Sequence, residues 1–119
     1  MWSLRLSRRQ RQGQLWEQQA LGWLRARGLE LVEENFRCRG GEIDLIMRER
    51  GTLVFVEVRQ RANANHGGAL ASITPAKIRR LVHAANTYLL RWDAPPPCRF
   101  DVIAIDGAQP EWLQNVLEL

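Results

Sequence analysis

The sequence is poor in the residues that define several protein classes. Its two cysteines, Cys38 and Cys98, form no Cys-x-x-Cys pair and lie at no zinc-ligand spacing from a histidine, so we expect two buried free thiols. No run approaches the roughly 20 apolar residues that a membrane-spanning helix needs. Residues 1–9 lack the apolar segment of a signal peptide. These absences predict a cytoplasmic protein with no membrane partner.

Lysine is almost absent, because Lys77 is the only lysine among 17 basic residues and all the others are arginine. With 13 acidic residues the formal net charge is +4, which suits a polyanionic partner such as nucleic acid. A genome-wide codon bias would produce the same excess of arginine, so single arginines are weak indicators. Internal repeats are also absent, and a chain of 119 residues predicts one domain.

The N-terminal third predicts a tail, a helix and a strand. Residues 1–12 carry four arginines and little apolar content, which indicates a basic, flexible tail; an arm that binds a phosphate backbone is the alternative. The single domain then spans residues 13–119. An amphipathic helix over 13–27 would end at Gly28, and an irregularly alternating strand over 29–37 would follow it. The apolar residues of that helix recur at helical spacing: Trp16, Ala20, Trp23 and Leu24.

The middle of the chain predicts a β-hairpin. Residues 41–47 and 53–59 alternate apolar with other residues, and the short break between them carries Gly51. A turn centred between Arg50 and Gly51 gives an apolar face that pairs Ile43 with Val58, Leu45 with Val56 and Met47 with Val54. The other face pairs Asp44 with Glu57, Glu42 with Arg59 and Ile46 with Phe55. A slip of one residue would set carboxylates opposite aliphatic side chains, so this register is favoured.

Asp44 and Glu57 are the first candidate site. Directly opposed side chains on neighbouring strands lie about 4.5–5.5 Å apart at Cβ, and two carboxylates at that distance repel each other unless a positive charge lies between them. Mg²⁺ takes carboxylate oxygens and keeps several waters, so a bound divalent cation is one interpretation. The alternative is an exposed polar face on which two charges meet.

A long polar segment, residues 60–72, follows the strand that carries Glu57, and we predict a flap that touches substrate. His66 within it is either a catalytic base or a bystander, and a lone loop histidine favours the bystander. Thr74 and Pro75 then predict the start of a second helix, with Thr74 as N-cap. One face of this helix is apolar, and the other carries Arg80, His83, Thr87 and Arg91. That polar stripe is either solvated surface or a track for a phosphate backbone.

The C-terminal part predicts one more strand and one more helix. Residues 99–105 form the fourth strand, and the helix before it makes a crossover, so the third and fourth strands are expected to be parallel. Asp101 in this strand is expected to bond locally within the sheet. Residues 110–119 are predicted as a short closing helix.

The order αβββαβ, with an acidic residue on the second strand and Glu-x-basic on the third, resembles the restriction-endonuclease-like PD-(D/E)XK nucleases. It is closest to the YraN-type predicted endonucleases, which are similar to archaeal Holliday-junction resolvases. The resemblance covers nearly the whole chain. The segments that carry it are Gly41-Glu42-Ile43-Asp44-Leu45-Ile46, Val54-Phe55-Val56-Glu57-Val58-Arg59-Gln60-Arg61, Gly68…Ser72…Lys77 and Arg99-Phe100-Asp101-Val102.

This resemblance implies an α/β fold with a mixed sheet flanked by helices, and a DNA endonuclease that depends on Mg²⁺ or Mn²⁺. Branched DNA is among the implied substrates, and a two-fold junction would suit a homodimer. The implied metal ligands are Asp44, Glu57, the main-chain carbonyl of Val58 and Glu17; without the resemblance Glu17 reads as a surface glutamate. Implied contacts to nucleic acid come from Arg61, Ser72 and Lys77, and Glu42 supports the site. Arg80, on the polar stripe of the second helix, is a further expected contact to nucleic acid.

Two departures from the family pattern bear on the chemistry. Trp16 stands where many relatives have glycine before the helix glutamate, which affects the direction in which the Glu17 side chain points. Arg59 occupies the lysine position of the superfamily, and a guanidinium is never deprotonated, so it cannot be a general base. Either Arg59 or Lys77 then balances charge on the phosphate. A nucleic-acid-binding protein that does not cut is the second hypothesis, and a protein-interaction subunit is the third.

Overall fold

The computed structural model describes residues 8–60, 71–105 and 110–117, with side chains from residue 13 onward. Within these ranges it contains two helices and a five-stranded mixed sheet in an α/β fold. The helices are α1 (Arg8–Ala26) and α2 (Pro75–Leu89). The strands are β1 (Glu30–Cys38), β2 (Gly41–Glu49), β3 (Thr52–Gln60), β4 (Cys98–Ile105) and β5 (Glu111–Leu113).

The sheet has the order β1-β2-β3-β4-β5. β3 and β4 are parallel, as predicted from the crossover, and the other neighbouring pairs are antiparallel. α1 packs on one face of the sheet and α2 on the other, so each face has its own apolar cluster. The predicted αβββαβ core is therefore confirmed, with one additional edge strand.

α1 begins at Arg8, five residues before the predicted start at Gly13. Arginine and glutamine are both strong helix formers, so the polar stretch before Gly13 continues the helix. Residues 1–7 of the predicted tail lie outside the described residues. The helix ends as predicted: Gly28 adopts φ 94°, and the N–H of Leu29 donates to the carbonyl of Leu24 at 3.2 Å.

The hairpin register is confirmed from the turn to the middle of the strands. The pairs run from Glu49–Thr52 to Leu45–Val56, and Arg50 and Gly51 in the turn both have positive φ, as a tight two-residue turn requires. The predicted pairs Ile43–Val58, Asp44–Glu57 and Glu42–Arg59 lie beyond the ladder. There the backbone N–H of Val58 donates to the Asp44 carboxylate at 2.9 Å. This N–H therefore bonds to a side chain instead of to the backbone of β2.

The prediction that Ile43 shares a face with Leu45 and Met47 is wrong. Ile43 belongs to the cluster on the α2 side, whereas Leu45 and Met47 belong to the cluster on the α1 side. The side chains of β2 change face at the position opposite Asn35 of β1. Asn35 lies between the pairs Glu34–Leu45 and Phe36–Ile43, and its φ is 50°. A left-handed residue breaks the regular alternation there.

The predicted closing helix over 110–119 is also wrong, because Glu111–Leu113 forms β5, which pairs antiparallel with β4. Trp112 and Leu113 pack against different clusters, as neighbours in a strand do. Asp101 explains the position of this strand, because its carboxylate accepts the indole N–H of Trp112 and the backbone N–H of Asn115, each at 2.9 Å. Asp101 therefore bonds at the edge of the sheet, as expected, although these two partners lie 11 and 14 positions away along the chain.

The remaining elements follow the predictions closely. Thr74 caps α2 and accepts the N–H of Lys77 at 3.1 Å. Cys38 and Cys98 are free, as expected, but both are half-buried, so the prediction that they are buried is wrong. Neither described helix is long and apolar enough to cross a membrane.

Candidate metal and nucleic-acid site

Glu57 is the most buried charged group of the site, with 5 % of its surface exposed. Its Oε1 lies 3.6 Å from Nζ of Lys77 and 3.7 Å from a terminal nitrogen of Arg59. Its Oε2 is buried, and no hydrogen-bond donor among the described residues reaches it when the carboxyl is ionised. One oxygen therefore faces two cations and the other has no positive partner in the described part of the chain.

Asp44 reaches Glu57 across the point where the β2–β3 ladder ends. The two carboxyl groups lie close enough to interact, and each shifts the pKa of the other. Burial, followed by the charge of Asp44, raises the pKa of Glu57 from 4.5 to about 8, although Lys77 and Arg59 oppose the rise. Burial also raises the pKa of Asp44, against the N–H of Val58 and the charge of Lys77. Two carboxyls thus converge as predicted, in surroundings that disfavour two negative charges.

Glu17 lies on the α1 side of the same group. Burial raises its pKa from 4.5 to about 7, the charge of Asp44 adds to the rise, and a hydrogen bond with Asn35 lowers it. Glu17, Asp44 and Glu42 line one cleft of about 290 Å³ between α1 and the sheet. Three carboxyl groups from α1 and β2 therefore face a common space.

Glu42 does not face Arg59, contrary to the prediction. Its carboxylate lies 3.6 Å from Nζ of Lys77 and 3.7 Å from Nε of Arg37, because residue 42 pairs with Arg37 of β1 and lies beyond the ladder with β3. Lys77 consequently bridges the carboxylates of Glu42 and Glu57.

Arg59 makes its short contacts with Ser72 instead. Its guanidinium donates to the main-chain carbonyl of Ser72 at 2.8 Å and to the Ser72 hydroxyl at 3.4 Å. Ser72, which the resemblance implies as a nucleic-acid contact, thus binds a cation of the site. Arg61, His66 and most of the predicted flap lie outside the described residues.

The polar stripe of α2 divides into two kinds of residue. Arg80 is exposed. His83 Nε2 lies 2.9 Å from the carbonyl oxygen of Arg39, and the Thr87 hydroxyl donates to the carbonyl of His83. Arg91 stacks on the ring of Tyr88 at 4.1 Å. Three of the four residues therefore make contacts within the chain.

The sequence did not single out Asn35 or Arg37, although both line the acidic cleft. The irregular alternation of β1 was the available signal for Asn35, because asparagine tolerates positive φ better than most residues. No signal in the sequence marks Arg37, since its contact depends on the β1–β2 register.

A second cavity, of about 190 Å³, lies on the other side of Glu57. Most of its walls are apolar and come from α2, β4 and the C-terminal segment, among them Ile78, Leu81, Phe100, Val102 and Val116. This apolar environment is the physical reason for the raised pKa of Glu57. Over the described ranges, no group of three or more His, Cys, Asp or Glu side chains has metal-binding geometry.

The mixed sheet with a helix on each face, and an acidic pair where β2 and β3 separate, place the chain in a class of proteins with a PD-(D/E)XK-like, nuclease-type fold. The model of the "Uncharacterised protein family UPF0102" matches residues 16–105. The chain therefore belongs to the UPF0102 family, also called YraN-type.

Several relatives are similar over nearly their whole length. The UPF0102 protein HEAR0176 of Herminiimonas arsenicoxydans is 58% identical over 110 residues, which is 92% of this chain and 89% of the relative. The UPF0102 protein of Janthinobacterium sp. (strain Marseille) is 57% identical over 106 residues, or 89% and 86% of the two chains. The Aeromonas hydrophila protein is 57% identical over 106 residues, or 87% and 82%.

Proposed function

We propose that this protein is a metal-dependent endonuclease that hydrolyses phosphodiester bonds in DNA. The observation that carries the proposal is the proximity of the Asp44 and Glu57 carboxyl groups, together with the buried Oε2 of Glu57, which has no hydrogen-bond partner among the described residues. A buried carboxylate oxygen without a hydrogen-bond partner is costly. A cation that satisfies both carboxylates removes this cost.

The donor set suits a hard divalent ion such as Mg²⁺ or Mn²⁺. Mg²⁺ is typically held by one or two carboxylates and keeps several of its waters, so it needs no cluster of three protein ligands. Asp44 and Glu57 would hold the ion with the main-chain carbonyl of Val58, and Glu17 faces the same cleft as Asp44. A bound ion of this kind supplies a water of lowered pKa as nucleophile.

The cations of the site fit a phosphate substrate. Arg59 and Lys77 both lie near Oε1 of Glu57, the oxygen other than the unpaired Oε2. A guanidinium or an ammonium there stabilises the negative charge that develops on a phosphate under attack. The net charge of +4 and the exposed Arg80 on α2 favour binding of the DNA backbone.

A nucleic-acid-binding protein that does not cut is the second candidate. One observation favours it: Lys77 and Arg59 already compensate the charge of Glu57 without a metal ion. This candidate predicts binding of branched DNA that is unaffected by chelators.

A cleavage assay separates the two candidates. A four-way junction and a supercoiled plasmid are incubated with the protein in Mg²⁺ or Mn²⁺, with and without EDTA. We expect nicking that requires the metal. The variant Asp44→Asn should abolish it, because an amide cannot supply the second negative charge.

The matched control is Asp93→Asn, which makes the same change at an exposed position outside the site. It should cleave like the wild type. Cleavage by Asp44→Asn at the wild-type rate would refute the site, and tight binding without any metal-dependent nicking would favour the second candidate.

A further inference from the structure

Two cations lie at nearly equal distances from Oε1 of Glu57: Nζ of Lys77 at 3.6 Å and a guanidinium nitrogen of Arg59 at 3.7 Å. Distance to Glu57 alone does not separate their roles. Their other contacts differ in kind, and those contacts distinguish a group held by hydrogen bonds from a group that is free to reorient.

Arg59 is held by one short and one longer hydrogen bond to Ser72. Its NH2 group donates to the carbonyl of Ser72 at 2.8 Å, and its Nε lies 3.4 Å from the Ser72 hydroxyl. The donors of a guanidinium form a rigid fork, so two bonds to one residue set its orientation. Arg59 therefore fastens the segment before α2 to the end of β3.

Lys77 is held more loosely at its ammonium group and firmly at its backbone. Nζ lies 3.6 Å from both Glu42 and Glu57, which is longer than a direct hydrogen bond. Its backbone N–H donates to the cap residue Thr74, two positions after Ser72. The ammonium can thus rotate its donors towards a phosphate. The position of the Lys77 backbone depends on the segment from Ser72 to Thr74, which Arg59 links to β3.

We propose that Lys77 is the catalytic cation and that Arg59 is a positioning residue that acts through Ser72. The inference rests on the proposed nuclease function. In the superfamily pattern a basic residue on β3 stabilises the phosphate charge, and here we assign that role to Lys77 in the first turn of α2. Lys77 stabilises the charge on the attacked phosphate, and the N-terminus of α2 adds a favourable partial charge for an anion.

Single-turnover cleavage with saturating protein tests the assignment. Lys77→Met should lower the rate about 10²- to 10³-fold, as the loss of one transition-state donor does, with DNA affinity in EDTA changed much less. Lys77→Arg, which keeps the charge, should restore the rate to within about tenfold of wild type. Arg79→Met removes an exposed cation from the same helix and should have no effect.

Arg59→Met needs a readout other than cleavage. Amide hydrogen exchange should become faster from Ser72 to Lys77 in Arg59→Met and should stay unchanged in Lys77→Met. If the wild type cleaves and Lys77→Met cleaves equally well, or if Arg59→Met leaves exchange in this segment unchanged, the assignment is wrong and the nuclease proposal stands. A wild type that never cleaves overturns both.

Discussion

Glu57 is the residue of the site at which a negative charge is unfavourable for two reasons. Burial separates its carboxyl from water, Asp44 adds a second negative group, and two cations compensate one of its oxygens. Such an arrangement is destabilising when both carboxyls are ionised and no cation lies between them. The stability of the metal-free protein should therefore respond to pH.

In EDTA, the free energy of unfolding should fall as pH rises from about 4.5 to 8. Between these values the folded protein holds the Glu57 proton more tightly than the unfolded chain does, since the folded pKa is about 8 against an ordinary 4.5. One proton contributes at most about 1.4 kcal/mol per pH unit. Urea unfolding at several pH values should show a shallower fall in Glu57→Gln.

The control for this experiment is Asp93→Asn, which removes an exposed carboxyl outside the site. Part of the slope should remain in Glu57→Gln, because the pKa values of Asp44 and Glu17 are raised as well. If the free energy of unfolding depends on pH identically in Glu57→Gln and wild type, the raised pKa of Glu57 is contradicted.

At the residue scale, the sequence predicted the acidic pair because strand alternation and a short turn define which residues oppose each other. It did not predict how the pair meets. The irregular alternation of β1 was the one sequence signal for the positive φ of Asn35. The bond from Val58 to Asp44 joins two strands and leaves no pattern in the local sequence.

At the scale of elements, the β1–β2 turn and α2 approach each other closely. Gly41 is buried beneath α2, and a methyl group on it would overlap the carbonyl oxygen of Arg80 and press on Ala84. The absence of a side chain therefore sets the distance between β2 and the helix that carries Lys77.

Gly41→Ala should lower the free energy of unfolding by roughly 1–3 kcal/mol, the usual cost of overpacking. The matched control is Gly22→Ala in α1, where a methyl group would meet open space. A glycine inside a helix costs about 0.5–1 kcal/mol relative to alanine, so this control should be stabilising. Chemical denaturation would measure both, and a Gly41→Ala variant as stable as wild type would contradict the close packing.

β5 and the C-terminal segment depend on the buried Asp101, which also accepts from Nε of Arg99 at 3.1 Å and 3.2 Å. Asp101→Asn should destabilise the protein by at least about 2 kcal/mol, since it weakens hydrogen bonds to a buried charged group. Thermal unfolding followed by tryptophan fluorescence would measure the loss. Asp93→Asn again serves as the control, and equal melting temperatures for the two variants would contradict this role of Asp101.

The elements with regular periodicity were predicted correctly, and those that depend on distant contacts were not. The cap at Thr74 and the hairpin turn are local signals. β5 is three residues long, and its apolar spacing is equally compatible with a helix. The bonds from Trp112 and Asn115 to Asp101 select the strand, and they span 11 and 14 positions.

At the scale of the whole molecule, the site lies where both helical layers meet the sheet. α1 contributes Glu17 from one face, and α2 contributes Lys77 from the other. Asp44 and Glu57 lie between them, past the last pair of the β2–β3 ladder. The fold thus brings groups from four elements to one place, and short-range patterns in the sequence do not report such convergence.

A direct test of the proposed metal site is the location of Mn²⁺ in crystals of the protein soaked at the concentration that supports cleavage. We expect one anomalous peak contacted by the carboxylates of both Asp44 and Glu57, and its loss in Asp44→Asn. No peak between these two groups, or a peak that persists unchanged in Asp44→Asn, would contradict the proposal that they form a metal site.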